Sequence, residues 1–220
     1  GSSIGAIGDG FSHGWGGAIF GLGSALGLLL LTMFVPIRKK GFITMSQEAQ
    51  YYYGGKPVVR QVMGVMMFLI EIVWLGNHIN GGSKYLSYVL GIDPTWCKLI
   101  TVCGFGAYVF IGGYVAVVKA DVIQFCAIIG GFSLIAWKAI PLAGGYQEIA
   151  NVFTAAGKPG AMGFYGLGSY GTLAAVALVF STVMGVLGTP TYRTRIYTSR
   201  DEKVARRAFF GQSGMMFLWS

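Results

Sequence analysis

The side chain with the clearest chemical potential is Glu71, a carboxylate near the middle of an otherwise apolar segment from Val58 to Tyr88. An unpaired carboxylate at the centre of a bilayer is costly, so it needs a partner or a water-filled cavity. Trp74 and His78 follow at spacings of three and four residues, which places them on the same face of a helix. The stripe is compatible with a polar contact between helices and with the wall of a solute or proton pathway.

The remaining residue types do not indicate an enzyme. The sequence has no Ser-His-Asp order, no paired carboxylates, no phosphate-binding loop and no metal-ligand cluster. Three cysteines lie in or beside apolar stretches without metal-site spacing, and we interpret them as reduced thiols. They are Cys97, Cys103 and Cys126. We therefore expect no catalytic residues and no hydrolysis, phosphoryl transfer or redox chemistry.

The composition is typical of a membrane protein. Of 220 residues, 54% are hydrophobic and only 11% are charged, whereas a soluble domain has roughly 25% charged residues. Glycine is abundant, with 36 residues, which suits close packing of helices in lipid. The net charge of +8 is concentrated in residues 38–60 and 193–207, between apolar segments. That placement favours membrane topology over nucleic-acid binding as the reason for the positive charge.

Apolar runs and turn signals predict five spans and their links. The predicted spans are Trp15 to Val35, Val58 to Tyr88, Thr95 to Val118, Val122 to Ile140 and Thr172 to Tyr192. Asp93-Pro94 predicts a helix start, Lys119-Ala120-Asp121 a tight link, Pro141 a helix end, and 146–156 a short surface helix. With alternating loops, twelve of the sixteen Lys and Arg residues fall on one side, which we assign to the cytoplasm.

The last predicted span contains a break. Its apolar run from Thr172 to Leu187 is interrupted at Gly188-Thr189-Pro190 and followed by a basic stretch. A break in a membrane helix frees backbone groups, and hydrocarbon tolerates them only beside a cavity, a ligand or an ion. The segment therefore indicates a transport protein. The chain begins with Gly1 and ends within an apolar run too short to span, so we expect a part of a longer protein.

Three stretches resemble the sodium/solute symporter family, in the order of its motifs. They are Gly1–Gly5 with Gly27–Leu31 running to Arg38-Lys39, then Gly112–Gln124, then Gly185–Pro190 followed by Arg195 and Asp201–Arg207. The resemblance implies an all-α membrane protein with a LeuT-like fold of two inverted five-helix repeats. Residues 1–140 would form the first repeat with an incomplete first helix, 141–171 an extracellular loop, and 172–220 the start of the second repeat.

The same resemblance implies a set of site residues. The carbonyls of Ser2 and Gly5 would form half of a sodium site, which residues beyond Ser220 would complete. Positions that would contact the solute are Trp74, Thr182, Val186 and Pro190. Positions linked to coupling or to the pathway are Glu71, His78 and Asp121. No metal other than the transported sodium ion is implied.

The predicted function is sodium-coupled symport of a small organic solute by alternating access, in a multi-pass protein of the plasma or inner membrane. The partners are then the solute, Na⁺ and the lipid bilayer, without nucleic acid. Three alternatives stay open: a membrane sensor domain of a signalling protein, an accessory membrane subunit, and a proton-coupled carrier that uses Glu71. The solute itself is not predicted.

Overall fold

A computed structural model of the chain describes residues 2–219, with the side chains of residues 5–218. The regular elements in residues 2–219 are all helical, which confirms the predicted all-α class. The α-helices are α1 (Ser2–His13), α2 (Ile19–Leu31), α3 (Met45–Tyr52), α4 (Pro57–Leu90), α5 (Pro94–Leu142), α6 (Gly145–Ala155), α7 (Leu167–Tyr170), α8 (Thr172–Gly188), α9 (Pro190–Thr198) and α10 (Glu202–Trp219). Short 3-10 helices cover Gly14–Ala18, Thr32–Lys40 and Phe164–Gly166.

Several helical stretches are long and apolar enough to cross a membrane. They are Gly5–Lys40, Pro57–Leu90 and Pro94–Leu142, and the bent pair formed by α8 and α9 supplies a fourth if it is one span. Helix α5 has 49 residues, which at 1.5 Å per residue is about 74 Å. A hydrocarbon core is about 30 Å thick. The length of α5 is therefore sufficient for the two spans predicted between residues 95 and 140.

The division of α5 is not where the sequence analysis placed it. The backbone leaves the helical region at Gly113, with φ 56° and ψ −154°. Glycine adopts this conformation readily because it has no Cβ. Lys119 and Asp121 instead lie inside the helix, so the predicted tight link at 119–121 is wrong, and Asp121 is not a helix cap. The helix end predicted at Pro141 is confirmed to within one residue, because α5 ends at Leu142.

Two local predictions are confirmed. Asp93 caps α5: its Oδ1 accepts a hydrogen bond from the Thr95 amide at 2.8 Å, and Pro94 occupies the first turn. The bond from the Thr95 amide holds the pKa of the Asp93 carboxyl below its usual value. The short helix predicted at 146–156 is α6, Gly145–Ala155.

The chain divides into two compact units, and each is described by itself. One unit contains residues 72–152, with the second half of α4, all of α5 and most of α6. In it, the end of α4 approaches the start of α5, since a Cβ on Gly82 would lie 3.8 Å from Thr101 Cγ2. Ser83 and Cys97 are its buried residues in these helices. The other unit contains residues 2–71 and 153–219.

The second unit is built around α2. Helix α2 packs against α8 and α10, and the apolar cluster at their junction also includes residues from α9. The cluster consists of Leu28, Leu31, Val35, Val186, Ile196, Ala205 and Phe209. Within it, Ser213 on α10 donates a buried hydrogen bond to the Ala25 carbonyl at 2.7 Å. These contacts hold α8 and α10 on the same central helix.

Glycines on α2 permit the close approach of α8. A Cβ on Gly23 would lie 2.8 Å from Thr182 Cβ, and a Cβ on Gly27 would lie 2.7 Å from Val186 Cβ. Both distances are too short for real carbon atoms, so a larger residue would force the two helices apart. The pattern is the small-residue contact that membrane helices use in place of hydrophobic burial.

We predict that Gly27→Ala destabilises the protein, because overpacking a close helix contact costs about 1–3 kcal/mol. Gly185→Ala is the matched control, since a Cβ on Gly185 of α8 meets no atom within 4 Å. Thermal unfolding of the purified full-length protein in detergent measures both. Equal unfolding temperatures for the two variants would contradict the proposed contact between α2 and α8.

Candidate functional site at the break between α8 and α9

The predicted break is present at the predicted residues. Helix α8 ends at Gly188, α9 begins at Pro190, and their axes differ by 46°. Thr189 between them has an extended backbone, with φ −77° and ψ 124°. Pro190 has no N–H to continue the hydrogen bonding of α8, but its fixed φ suits the first turn of a new helix.

Two threonine hydroxyls flank the break, and one of them faces Glu71 of α4. The Thr189 hydroxyl donates to the Gly185 carbonyl at 2.6 Å, which satisfies one acceptor near the end of α8. On the other side of Pro190, the Thr191 hydroxyl lies 3.5 Å from Glu71 Oε1. Glu71 is half-buried. The structure thus brings together Glu71 and the break, two features that the sequence analysis had identified separately.

Thr182 and Val186 lie about two turns and one turn before the break, in the interface with α2. Both are buried, and they face Gly23 and Gly27. The Thr182 hydroxyl donates to the Leu178 carbonyl of its own helix at 2.8 Å. Their contacts describe a packing role, and the solute contact expected of them stays a prediction.

The other predicted site residues lie in helices α1, α4 and α5. Trp74 and His78 belong to the unit of residues 72–152, both exposed, with ring centroids 5.9 Å apart and a 2.7 Å hydrogen bond between His78 Nδ1 and the Trp74 carbonyl. Asp121 lies within α5 of the same unit. Ser2 and Gly5 lie in α1, Gly1 lies outside the described residues, and the sodium contact expected of the Ser2 and Gly5 carbonyls stays a prediction.

The far end of α9 is held by a basic residue that the sequence analysis assigned only to topology. Arg38 donates from Nε to the Ser199 carbonyl and from Nη2 to the Arg200 carbonyl, both at 2.6 Å. A cation at this position satisfies carbonyls that a helix end leaves free. Next to it, Lys39 Nζ lies 3.2 Å from Glu202 Oε1 at the start of α10.

A buried charged pair joins α3 to α9. Arg193 Nη1 lies 3.3 Å from Glu48 Oε1, and the two side chains are only 8% and 9% exposed. The Tyr197 hydroxyl donates to the second oxygen, Glu48 Oε2. The guanidinium carbon of Arg193 lies 4.0 Å from the centre of the Phe34 ring. Sequence patterns gave no signal for this cluster, because its partners are 149 residues apart in the chain.

These contacts bear on topology. Arg38, Lys39 and Glu48 belong to one polar loop, and their partners lie in or next to α9 and α10. The two loops are therefore at the same end of this unit. That both loops face the cytoplasm stays a prediction.

Similarity to known proteins indicates the family of this chain. A family model described as sodium:solute symporter family matches residues 1–219. This chain belongs to the sodium:solute symporter family. Its relatives include the high-affinity choline transporter 1 of Caenorhabditis elegans, with 32% identity over 125 residues, which is 56% of this chain and 20% of that protein. The sodium/pantothenate symporter of Haemophilus influenzae is 26% identical over 191 residues, or 83% of this chain and 38% of that protein.

A third relative, the sodium/glucose cotransporter 1 of Oryctolagus cuniculus, is 25% identical over 122 residues, or 55% of this chain and 18% of that protein. The alignments with these three relatives cover between 18% and 38% of the relatives' lengths. No solved structure matches this symporter-family chain. The relatives are named as transporters, in agreement with the prediction that the chain is not an enzyme.

Adjacent basic residues allow a sharp test of how α9 is anchored. We predict that Arg38→Ala lowers the free energy of unfolding by about 1.5–3 kcal/mol, because two hydrogen bonds from a charged group are lost. Lys39→Ala is the matched control: it removes the same charge from the same loop but only an exposed ion pair, with an effect of about 0–1 kcal/mol. Denaturant unfolding of the full-length protein measures both, and equal losses would contradict the anchoring role of Arg38.

Proposed function

We propose that this chain is part of a secondary active transporter that couples the inward movement of Na⁺ to uptake of a small organic solute. Membership of the symporter family supports the class of activity. The single observation that carries the proposal is the 46° bend at Thr189 within an apolar stretch long enough to span a membrane. Such a bend is stable in hydrocarbon only beside a cavity, and transporters bind their solutes and ions at such breaks.

The two half-helices present opposite partial charges at the break. The end of α8 carries carbonyls with partial negative charge, and the start of α9 carries amides with partial positive charge. Glu71 adds a formal negative charge beside Thr191. The arrangement suits a transported cation on the side of α8 and Glu71, and a hydrogen-bond acceptor of the solute at the start of α9. Pro190 then forms part of the surface that faces the solute.

From the family resemblance we keep Thr182 and Val186 as proposed solute contacts, and their packing adds a second role. Because both pack against the glycines of α2, we propose that they hold the half-helix α8 in place behind the site. From the family resemblance we also keep Trp74 as a solute contact, and His78 and Asp121 as residues of the pathway. The relatives are named for choline, pantothenate and glucose, so the proposal stops at a small organic solute.

The proposed architecture is the LeuT-like inverted repeat, with 1–140 as the first repeat, 141–171 as an extracellular loop and 172–220 as the start of the second. The carbonyls of Ser2 and Gly5 form part of the sodium site, and the rest of that site comes from the longer protein. Loops 38–60 and 193–207 face the cytoplasm. One Na⁺ that moves down a potential of 100 mV supplies about 2.3 kcal/mol.

A second candidate is proton coupling through Glu71. The observation that favours it is the position of this half-buried carboxylate beside the break, with the hydroxyl of Thr191 as its hydrogen-bonding neighbour. A carboxylate in such surroundings can take up and release a proton as the cavity opens and closes. Sodium coupling is preferred because the chain belongs to a family of sodium symporters.

Uptake by the full-length protein in liposomes separates the two candidates. We predict that an inward Na⁺ gradient drives accumulation of one member of a radiolabelled solute panel, and that a pH gradient without Na⁺ does not. In Glu71→Gln, Na⁺-driven uptake persists with a raised KM for sodium, because a negative charge near the ion path is lost. Uptake that is driven by protons, independent of Na⁺ and abolished by Glu71→Gln would contradict sodium coupling.

A further inference from the structure

The buried pair of Glu48 and Arg193 is separate from the contact of Glu71 at the break, because Arg193 lies two residues after Thr191 and therefore projects from the opposite face of α9. Buried charges are rare in proteins, since both partners lose their hydration. Here the loss is offset by several contacts at once. One oxygen of Glu48 lies 3.3 Å from Arg193 Nη1 in an ion pair, the other accepts a hydrogen bond from Tyr197, and Arg193 also lies over the ring of Phe34.

The cluster contacts one face of α9. Arg193 and Tyr197 are four residues apart, so they project from the same side of the helix. Their common partner lies on α3, an eight-residue helix that begins at a Thr44 cap, with Thr44 Oγ1 accepting from the Gln47 amide at 3.3 Å. A helix of this length is not stable by itself in water. Helix α3 therefore depends on its contacts with the rest of the unit, and those with α9 are among them.

The backbone alone does not fix the direction of α9. Thr189 interrupts the helical hydrogen bonding between α8 and α9, so side chains must set the angle between them. Helices α8 and α9 share one apolar cluster, through Val186 and Ile196, and α9 is held in addition by Glu48 on one face and by Arg38 at its end. These polar contacts tie α9 to α3 and to the segment that follows α2.

We propose that Glu48 is a positioning residue that makes α3 and α9 one moving body, through Arg193 and Tyr197. If α9 turned about Thr189 without α3, a buried charge would be left without its partner, which is strongly unfavourable. Any rotation of α9 about Thr189 therefore moves α3 as well. This inference rests on the proposed transport function, because it assigns the contacts of Glu48 with Arg193 and Tyr197 a part in the movement that alternating access requires.

Distance measurements test the coupled movement in the full-length protein with Cys97, Cys103 and Cys126 replaced by serine. Nitroxide labels at the exposed positions Phe180 on α8 and Thr198 on α9 report the angle at the break, and labels at Tyr52 and Thr198 report the separation of α3 and α9. We expect sodium to shift the first distance and leave the second unchanged. In Glu48→Gln, we expect the distribution of distances between the labels on α8 and α9 to broaden.

Transport kinetics separate positioning from folding. Glu48→Gln and Arg193→Met are each expected to lower kcat about tenfold or more, with the solute KM changed by less than about twofold, because the movement and not binding is affected. The double variant has no lone buried charge, so it should recover the amount of folded protein but not the rate. Glu148→Gln is the matched control: it makes the same change at an exposed carboxylate of α6 and should leave kcat at its native value.

Several outcomes would overturn the inference. If the double variant transports at the native rate, the pair serves only to fold the protein. If sodium changes the separation of α3 and α9, the two helices do not move together. If the native protein takes up no solute in response to sodium, the proposed function fails. The distribution of distances between the labels on α8 and α9 still tests the role of Glu48 in that case. A narrow distribution in Glu48→Gln refutes the positioning of α9 by Glu48, and a broadened one supports it.

Discussion

The interruption of helical hydrogen bonding at Thr189 is the constraint on which the rest of this unit depends. It turns one apolar stretch into two half-helices that need separate supports. Helix α8 has an apolar support, the glycine face of α2, where atoms approach too closely for any side chain on Gly23 or Gly27. Helix α9 joins the apolar cluster through Ile196 and has a polar support besides, built from Arg38 and the buried pair of Glu48 and Arg193.

This difference in support has a functional meaning. Apolar packing against small residues is rigid and independent of the surroundings, so α8 is suited to a fixed position. The hydrogen bonds from Arg38 at the end of α9 are partly exposed, so water can replace them at a small net cost, whereas the buried pair keeps α9 together with α3. In the proposed transport function, the break between α8 and α9 separates a part that stays from a part that moves. Glu71 and Thr191 lie where these parts meet.

The sequence analysis was accurate where a local signal decides the structure. Asp93-Pro94 begins a helix and Gly188-Thr189-Pro190 breaks one, because proline and capping residues act on their own neighbours. The prediction was wrong at 119–121, where charged residues suggested a link between two helices. The backbone instead leaves the helical conformation at Gly113. The sequence analysis could not find the partnership of Glu48 with Arg193, because a contact between distant segments leaves no trace in local patterns. The role of Arg38 in holding α9 was missed for the same reason.

The central claim is that sodium binds to the folded protein as part of its transport cycle. The most direct test is the unfolding temperature of the purified full-length protein in rising NaCl, against KCl at the same ionic strength. A bound ion stabilises the native state by about 2.7 kcal/mol when its concentration is a hundred times its dissociation constant. The account predicts a rise that saturates in NaCl and is absent in KCl. Identical unfolding temperatures in the two salts would contradict it.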